Sequence, residues 1–188
     1  MWLEIFKRYI SVFLLGIVIK LLDDEVDQDQ ELRGMPDNQV LRELQLYKLP
    51  YSLLFLSIAM ILDPHYSFAL FSGAYITGMF HITNQRLPLK LKSYQEIILI
   101  TLLNILLLPI DVFFHGMFLI FIIQLLDDLL DLDYDITYGY FNYVHSFGKV
   151  EVGILILIFI IASFMLSWVN TLIILPLGIL INYLYSWL

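Results

Sequence analysis

The chain contains no cysteine. Disulfides and thiolate metal sites are therefore excluded, while compartment is left open. Basic residues are scarce: ten Lys and Arg stand against eighteen Asp and Glu, for a net charge of −8. They form no basic stripe, which argues against a nucleic-acid partner. The four histidines (His65, His81, His115 and His145) show no metal-ligand spacing and read as hydrogen-bonded interior or interfacial residues. What the chain has in quantity is hydrocarbon. It is 60% hydrophobic with a mean hydropathy of +0.82, where soluble domains sit near about 45–50% apolar. This is the composition of a membrane protein.

Apolar runs predict an all-α, polytopic transmembrane bundle of about seven helices, over roughly 3–24, 51–63, 66–83, 94–108, 111–130, 150–168 and 170–187. Several fall short of the ~20 residues that span a bilayer. Residues 38–49 have helical periodicity with polar residues between leucines, and are expected to prolong the second helix at the interface with a kink at Pro50. Pro64, Pro88 and Pro109 mark breaks, and Pro176 is expected to kink the last helix. Lys7 and Arg8 before an apolar run also suggest a signal peptide. The run leads straight into acidic residues and carries no small-residue cleavage site, so it reads as the first helix.

Seven helices put Arg33, Arg42, Lys48, Arg86, Lys90, Lys92 and Lys149 on one side of the membrane, and only Lys7 and Arg8 on the other. The positive-inside rule makes the first side cytoplasmic. The same side carries both of the chain's acidic clusters. One reads Leu21-Leu22-Asp23-Asp24-x-x-Asp27-x-Asp29-x-Glu31, the other Leu125-Leu126-Asp127-Asp128-x-x-Asp131-x-Asp133-x-Asp135. The echo suggests an internal repeat of 1–93 and 94–188 within one domain, and repeats of this kind commonly place a site at their interface.

A carboxylate at the edge of hydrocarbon is costly unless paired, solvated or bound to a cation. Asp24, Asp27 and Glu31 fall at i, i+3, i+7, as do Asp128, Asp131 and Asp135, so on a helix each set shares one face. Such a strip of hard oxygens suits magnesium, which keeps several waters and completes its shell with substrate phosphates. Two facing strips would hold metal ions that bridge a diphosphate and neutralise it as a C–O bond ionises. The bland alternative for either cluster alone is a solvated helix end; the repeated spacing weakens it. An EF-hand is excluded, because the required Gly and Glu positions hold Leu32 and Asn38 in one copy and Ile136 and Asn142 in the other. The 84–92 loop supplies Arg86, Lys90 and Lys92 as diphosphate-binding cations; taken alone it is an ordinary positive-inside loop. Lys20, one turn before Asp24, is expected to pair within the site rather than snorkel. Most of the 14 Phe and 12 Tyr are packing or lipid-facing residues, although some would line an isoprenoid pocket and stabilise carbocations through their faces.

These residues resemble the UbiA superfamily of intramembrane prenyltransferases. Asp23-Asp24-x-x-Asp27-x-x-x-Glu31-x-x-Gly34-x-Pro36 fits that family's first motif, with Glu for the last Asp and Gly for Asn. Asp128-x-x-Asp131-x-x-x-Asp135-x-x-x-Gly139, with Gly148 nine residues on, fits the second. Arg86-Leu87-Pro88-Leu89-Lys90 looks like the family's Tyr-x-x-x-Lys loop, with Arg for Tyr. The resemblance runs from about residue 10 to 187. It departs where the family has nine helices and here the first and last are missing, and where a Thr-Leu-Pro-Val-type stretch is replaced by Asn142-Tyr143-Val144-His145.

What the resemblance implies is a magnesium-dependent enzyme that ionises a prenyl diphosphate to an allylic cation and transfers the prenyl group to an acceptor. Asp24, Asp27, Asp128 and Asp131 would carry the metal, with Asp23, Glu31 and Asp135 assisting; Arg86, Lys90, Lys92 and Lys20 would bind the diphosphate. Two rivals remain: a terpene cyclase of the same type acting on the diphosphate alone, and a non-enzymatic membrane protein that binds divalent cations. Acidic rings do line cation pores, but clusters at helix ends beside a basic loop argue against conduction.

Overall fold

The computed structural model describes residues 2–31, 47–79, 90–139 and 141–187; the side chains of 23–31, 79 and 185–187 fall outside that description. Every element among these residues is helical: α1 (Trp2–Glu31), α2 (Lys48–Leu62), α3 (Pro64–Met79), α4 (Ser93–Leu107), α5 (Ile110–Leu130), α6 (Leu132–Tyr138), α7 (Tyr143–Phe147) and α8 (Lys149–Trp187). The long helices lie where the apolar runs predict them. The expected extension over 38–46 and the expected break at Pro88 lie outside the described residues.

Two details differ from the sequence reading. α1 continues past residue 24 and carries helical backbone through Asp23, Asp24, Asp27 and Glu31. Pro50 produces no break, because it stands in the first turn of α2, where a missing N–H costs little. α8 is interrupted at Ser167 (φ −161°, ψ 94°), and Pro176 lies within its second part. Ser167 divides the two helices expected over 150–168 and 170–187. The Thr171 hydroxyl lies 3.1 and 2.8 Å from the carbonyls of Ser163 and Ser167, and 2.9 Å from His115 Nε2. Backbone groups loosened by the break are thus met inside an apolar environment.

The chain divides into two compact units, Met1–Phe68 with Pro176–Leu188, and Ala69–Leu175. In the first, α1 presents Val12, Leu15, Val18 and Leu21 on one buried stripe, the three-residue spacing of a helix face. α2 runs antiparallel to it. Arg8 Nε donates to Asp63 Oδ2 at 2.6 Å, and Ser11 Oγ donates to the Ala59 carbonyl at 2.9 Å. Asp63 ends α2, and its Oδ1 accepts from the Tyr66 N–H at 3.3 Å, starting α3 with Pro64 at the position that tolerates it.

In the second unit, α3, α4 and α5 alternate in direction. A Cβ on Gly116 would come 2.9 Å from Ala69 Cβ, so α3 and α5 cross where both residues are small. One turn on, a Cβ on Gly73 would meet Ile120 at 3.4 Å. The constant offset makes α3 and α5 parallel. α4 runs back against α3, with Ser72 Oγ donating to Asn104 Oδ1 at 2.8 Å. Phe118 and Phe121 of α5 stack on Phe159 of α8 at 5.3 and 5.4 Å.

α5 and α8 are long and apolar enough to cross a membrane. α2 and α4, at 15 residues each, cover about 22 Å against ~30 Å of hydrocarbon. Large side chains stand outward along the helices, among them Leu106 at 82% and Met165 at 83% exposure.

Candidate functional site

The second acidic cluster is built at the end of α5. That helix closes at Leu130, and Asp131 caps it with φ −97° and ψ 11°. The backbone ladder nevertheless crosses the junction: Asp131 N–H donates to the Asp127 carbonyl and Asp135 N–H to the Asp131 carbonyl, both at 2.9 Å. Asp128, Asp131 and Asp135 therefore follow a nearly continuous helical path over two helices, where the sequence reading had one. α6 ends at Gly139, whose φ of 77° is left-handed, a conformation that suits glycine.

From there the chain returns to the cluster through Asn142, which is 2% exposed. Its Nδ2 donates to the Asp128 carbonyl and to Asp135 Oδ2, each at 2.7 Å. Its Oδ1 accepts from the N–H groups of Val144 at 2.8 Å and His145 at 3.2 Å, capping α7. The Tyr143 N–H donates to Asp128 Oδ2 at 2.7 Å. Burial pushes the Tyr143 phenol up from its ordinary value, and the neighbouring Asp128 charge adds to the shift. α7 closes at Gly148, with φ 103°.

The chemistry of these donors fits a hard cation such as magnesium, since every group offered is a carboxylate oxygen. One oxygen each of Asp128 and Asp135 is already hydrogen-bonded to the loop. Among the described residues, no three carboxylates or histidines converge closely enough to hold a metal directly. A cation seated on this cluster would retain much of its water.

The other candidates are more dispersed. Asp23, Asp24, Asp27 and Glu31 have helical backbone in α1, with their side chains beyond the described set. Lys20 is half-buried on the same helix. Arg86 and His81 lie outside the described residues. Lys90 is exposed with a left-handed φ of 63°, and Lys92 caps the start of α4 with its Nζ 5.8 Å from the Tyr94 ring. The short α4–α5 connection brings this start of α4 and the acidic end of α5 to one end of the second unit. His115 is buried on Thr171, the interior role expected of it.

Three features escaped the sequence reading. Asn142 is one; its position before a short helix is a readable capping signal, but its carboxylate partner is not. The second is Lys48, counted above only for topology. It is 5% exposed, and its Nζ and the Ser52 hydroxyl one turn on are buried with no hydrogen-bond partner among the described residues. Continuing the α1–α2 register from Arg8–Asp63 and Ser11–Ala59 brings Lys48 level with about Leu22. The third is the pair Tyr75 and Glu96, whose hydroxyl and Oε2 lie 2.5 Å apart. No family model, curated protein or solved structure matches the chain.

Proposed function

We propose that the chain is a polytopic membrane enzyme of the UbiA type that uses magnesium to ionise a prenyl diphosphate and passes the prenyl group to an acceptor. The observation that carries this reading is the second acidic cluster. Its carboxylates follow directly on an apolar helix of membrane-spanning length and keep a helical path. The first cluster repeats its spacing residue for residue.

Membrane residence draws support from exposure. Only 17% of the most apolar stretch of α8 is buried, whereas the core helix of a soluble protein is mostly covered. An outward hydrocarbon surface of this kind suits a lipid surround. The excess of Lys and Arg on the side of the acidic clusters orients that side to the cytoplasm.

In this reading each cluster offers metal ligands: Asp24 and Asp27 with Asp23 and Glu31 in the first, Asp128 and Asp131 with Asp135 in the second. Bound there, magnesium supplies charge neutralisation for the departing diphosphate. Arg86, Lys90, Lys92 and Lys20 bind the diphosphate oxygens. Asn142 fixes the loop against Asp128 and Asp135, so these carboxylates need not reorganise when charge develops. The Phe118–Phe159–Phe121 stack offers apolar walls for an isoprenoid chain.

The test is purified protein in detergent with magnesium and labelled prenyl diphosphate, with and without phenolic acceptors. Label incorporated into an acceptor supports the reading. Cyclic hydrocarbon made without acceptor replaces the transferase with a cyclase. Unchanged diphosphate under all conditions removes both.

A further inference from the structure

Glu96 stands in the first turn of α4 and is 5% exposed. The Tyr75 hydroxyl donates to its Oε2 at 2.5 Å, while its Oε1 is buried and accepts no hydrogen bond among the described residues. A carboxylate oxygen taken out of water without a donor is expensive, and neither the metal-binding nor the diphosphate-binding role uses it. Its depth follows from the helix register. Ala69–Gly116 and Gly73–Ile120 fix α3 against α5, which puts Tyr75 level with Ile122. Asp128 stands six residues further along α5, so the Tyr75–Glu96 pair lies about 9 Å deeper into the apolar part of the unit than the acidic cluster. If the diphosphate sits at the carboxylates, the carbon skeleton lies at the depth of Glu96.

We infer that Glu96 is the proton acceptor of the product-forming step, positioned by Tyr75; the inference rests on the prenyl-diphosphate reading above. The diphosphate departs with both electrons of the C–O bond. The π electrons of a nucleophilic carbon, on an acceptor ring or on the substrate's own distal double bond, form the new C–C bond with the allylic cation. The positive charge then resides on the adduct. Glu96 Oε1 takes the proton from the adjacent C–H, the C–H electrons become a π bond, and a neutral product and a protonated Glu96 result. Tyr75 holds Oε2, leaving Oε1 to take the proton. Water is the competing quencher and gives prenyl alcohol.

The experiment measures how the released diphosphate is partitioned between products that have lost a carbon-bound proton (prenylated acceptor or hydrocarbon) and prenyl alcohol. It uses the full chain in detergent with magnesium, farnesyl diphosphate and a phenolic acid. Glu96→Gln keeps the shape of the side chain and removes the base; the ratio of deprotonated product to alcohol is expected to fall about a hundredfold. Tyr75→Phe removes one hydroxyl and is expected to shift the ratio the same way by a smaller factor. It carries the test if Glu96→Gln does not fold. An unaltered ratio in the folded variants overturns the role of Glu96 while leaving the prenyl-diphosphate reading intact. An unaltered chain that releases no diphosphate overturns that reading and this inference with it.

Discussion

Asn142 joins the two ends of the second acidic cluster: its Nδ2 hydrogen-bonds Asp135 Oδ2 and the Asp128 carbonyl, each at 2.7 Å. Replacing Asn142 by Ala removes these bonds and the cap of α7 together, and leaves the Asp128 carbonyl without this donor. A loss of about 1–3 kcal/mol is expected, read as a lowered Tm in detergent. Asn142→Asp should lose more, because it turns the donor into a third carboxylate beside Asp128 and Asp135. Magnesium should restore part of that second loss and little of the first. Equal Tm values for both variants, with and without magnesium, would contradict this account of the loop.

The crossing of α3 and α5 makes a reciprocal prediction. Gly116→Val puts a branched side chain where even a Cβ would lie 2.9 Å from Ala69 Cβ. Overpacking of this kind costs about 1–3 kcal/mol. Ala69→Gly in the same chain should recover a measurable part of it, and thermal unfolding of the two single variants and the double variant measures the coupling.

Arg8 and Asp63 tie the start of α1 to the end of α2, with the Arg8 guanidinium also 4.6 Å from the Tyr66 ring centroid. Arg8→Ala strands the nearly buried Asp63 carboxylate and should cost about 1.5–3 kcal/mol. Asp63→Asn should cost less, since its side-chain oxygen can still accept from the Tyr66 N–H. The comparison is again a pair of unfolding curves.

The absence of cysteine makes the chain a ready background for topology mapping. Single cysteines at Lys90, Tyr138 and Asp111, all exposed, can be labelled in intact cells with a membrane-impermeant thiol reagent. The seven-helix reading predicts that 90 and 138 are protected on the cytoplasmic side and that 111 is labelled. Labelling of 90 and 138 from opposite sides would break the topology.

The long helices were legible because hydrocarbon runs and proline breaks mark them without reference to tertiary contacts. The division of the last apolar run at Ser167 was legible too, from the two apolar stretches on either side of it. α6 and α7 were not, since segments of seven and five residues carry too few turns for periodicity to show. The carboxylates announced themselves by charge next to hydrocarbon. Asn142, Lys48 and the Tyr75–Glu96 pair did not, because what distinguishes them is burial and the identity or lack of a partner, and both depend on how distant segments return.

The central claim is that the acidic clusters serve a magnesium-dependent cleavage of a prenyl diphosphate. It is tested most directly by diphosphate release from farnesyl diphosphate in magnesium-containing detergent solution. The unaltered chain should be compared with Asp24→Ala and Asp128→Ala, each checked for retained helicity. The account predicts release by the unaltered chain that stops when magnesium is chelated, and its loss in both folded variants. Release that continues unchanged in both variants, or none at all from the folded unaltered chain, would contradict it.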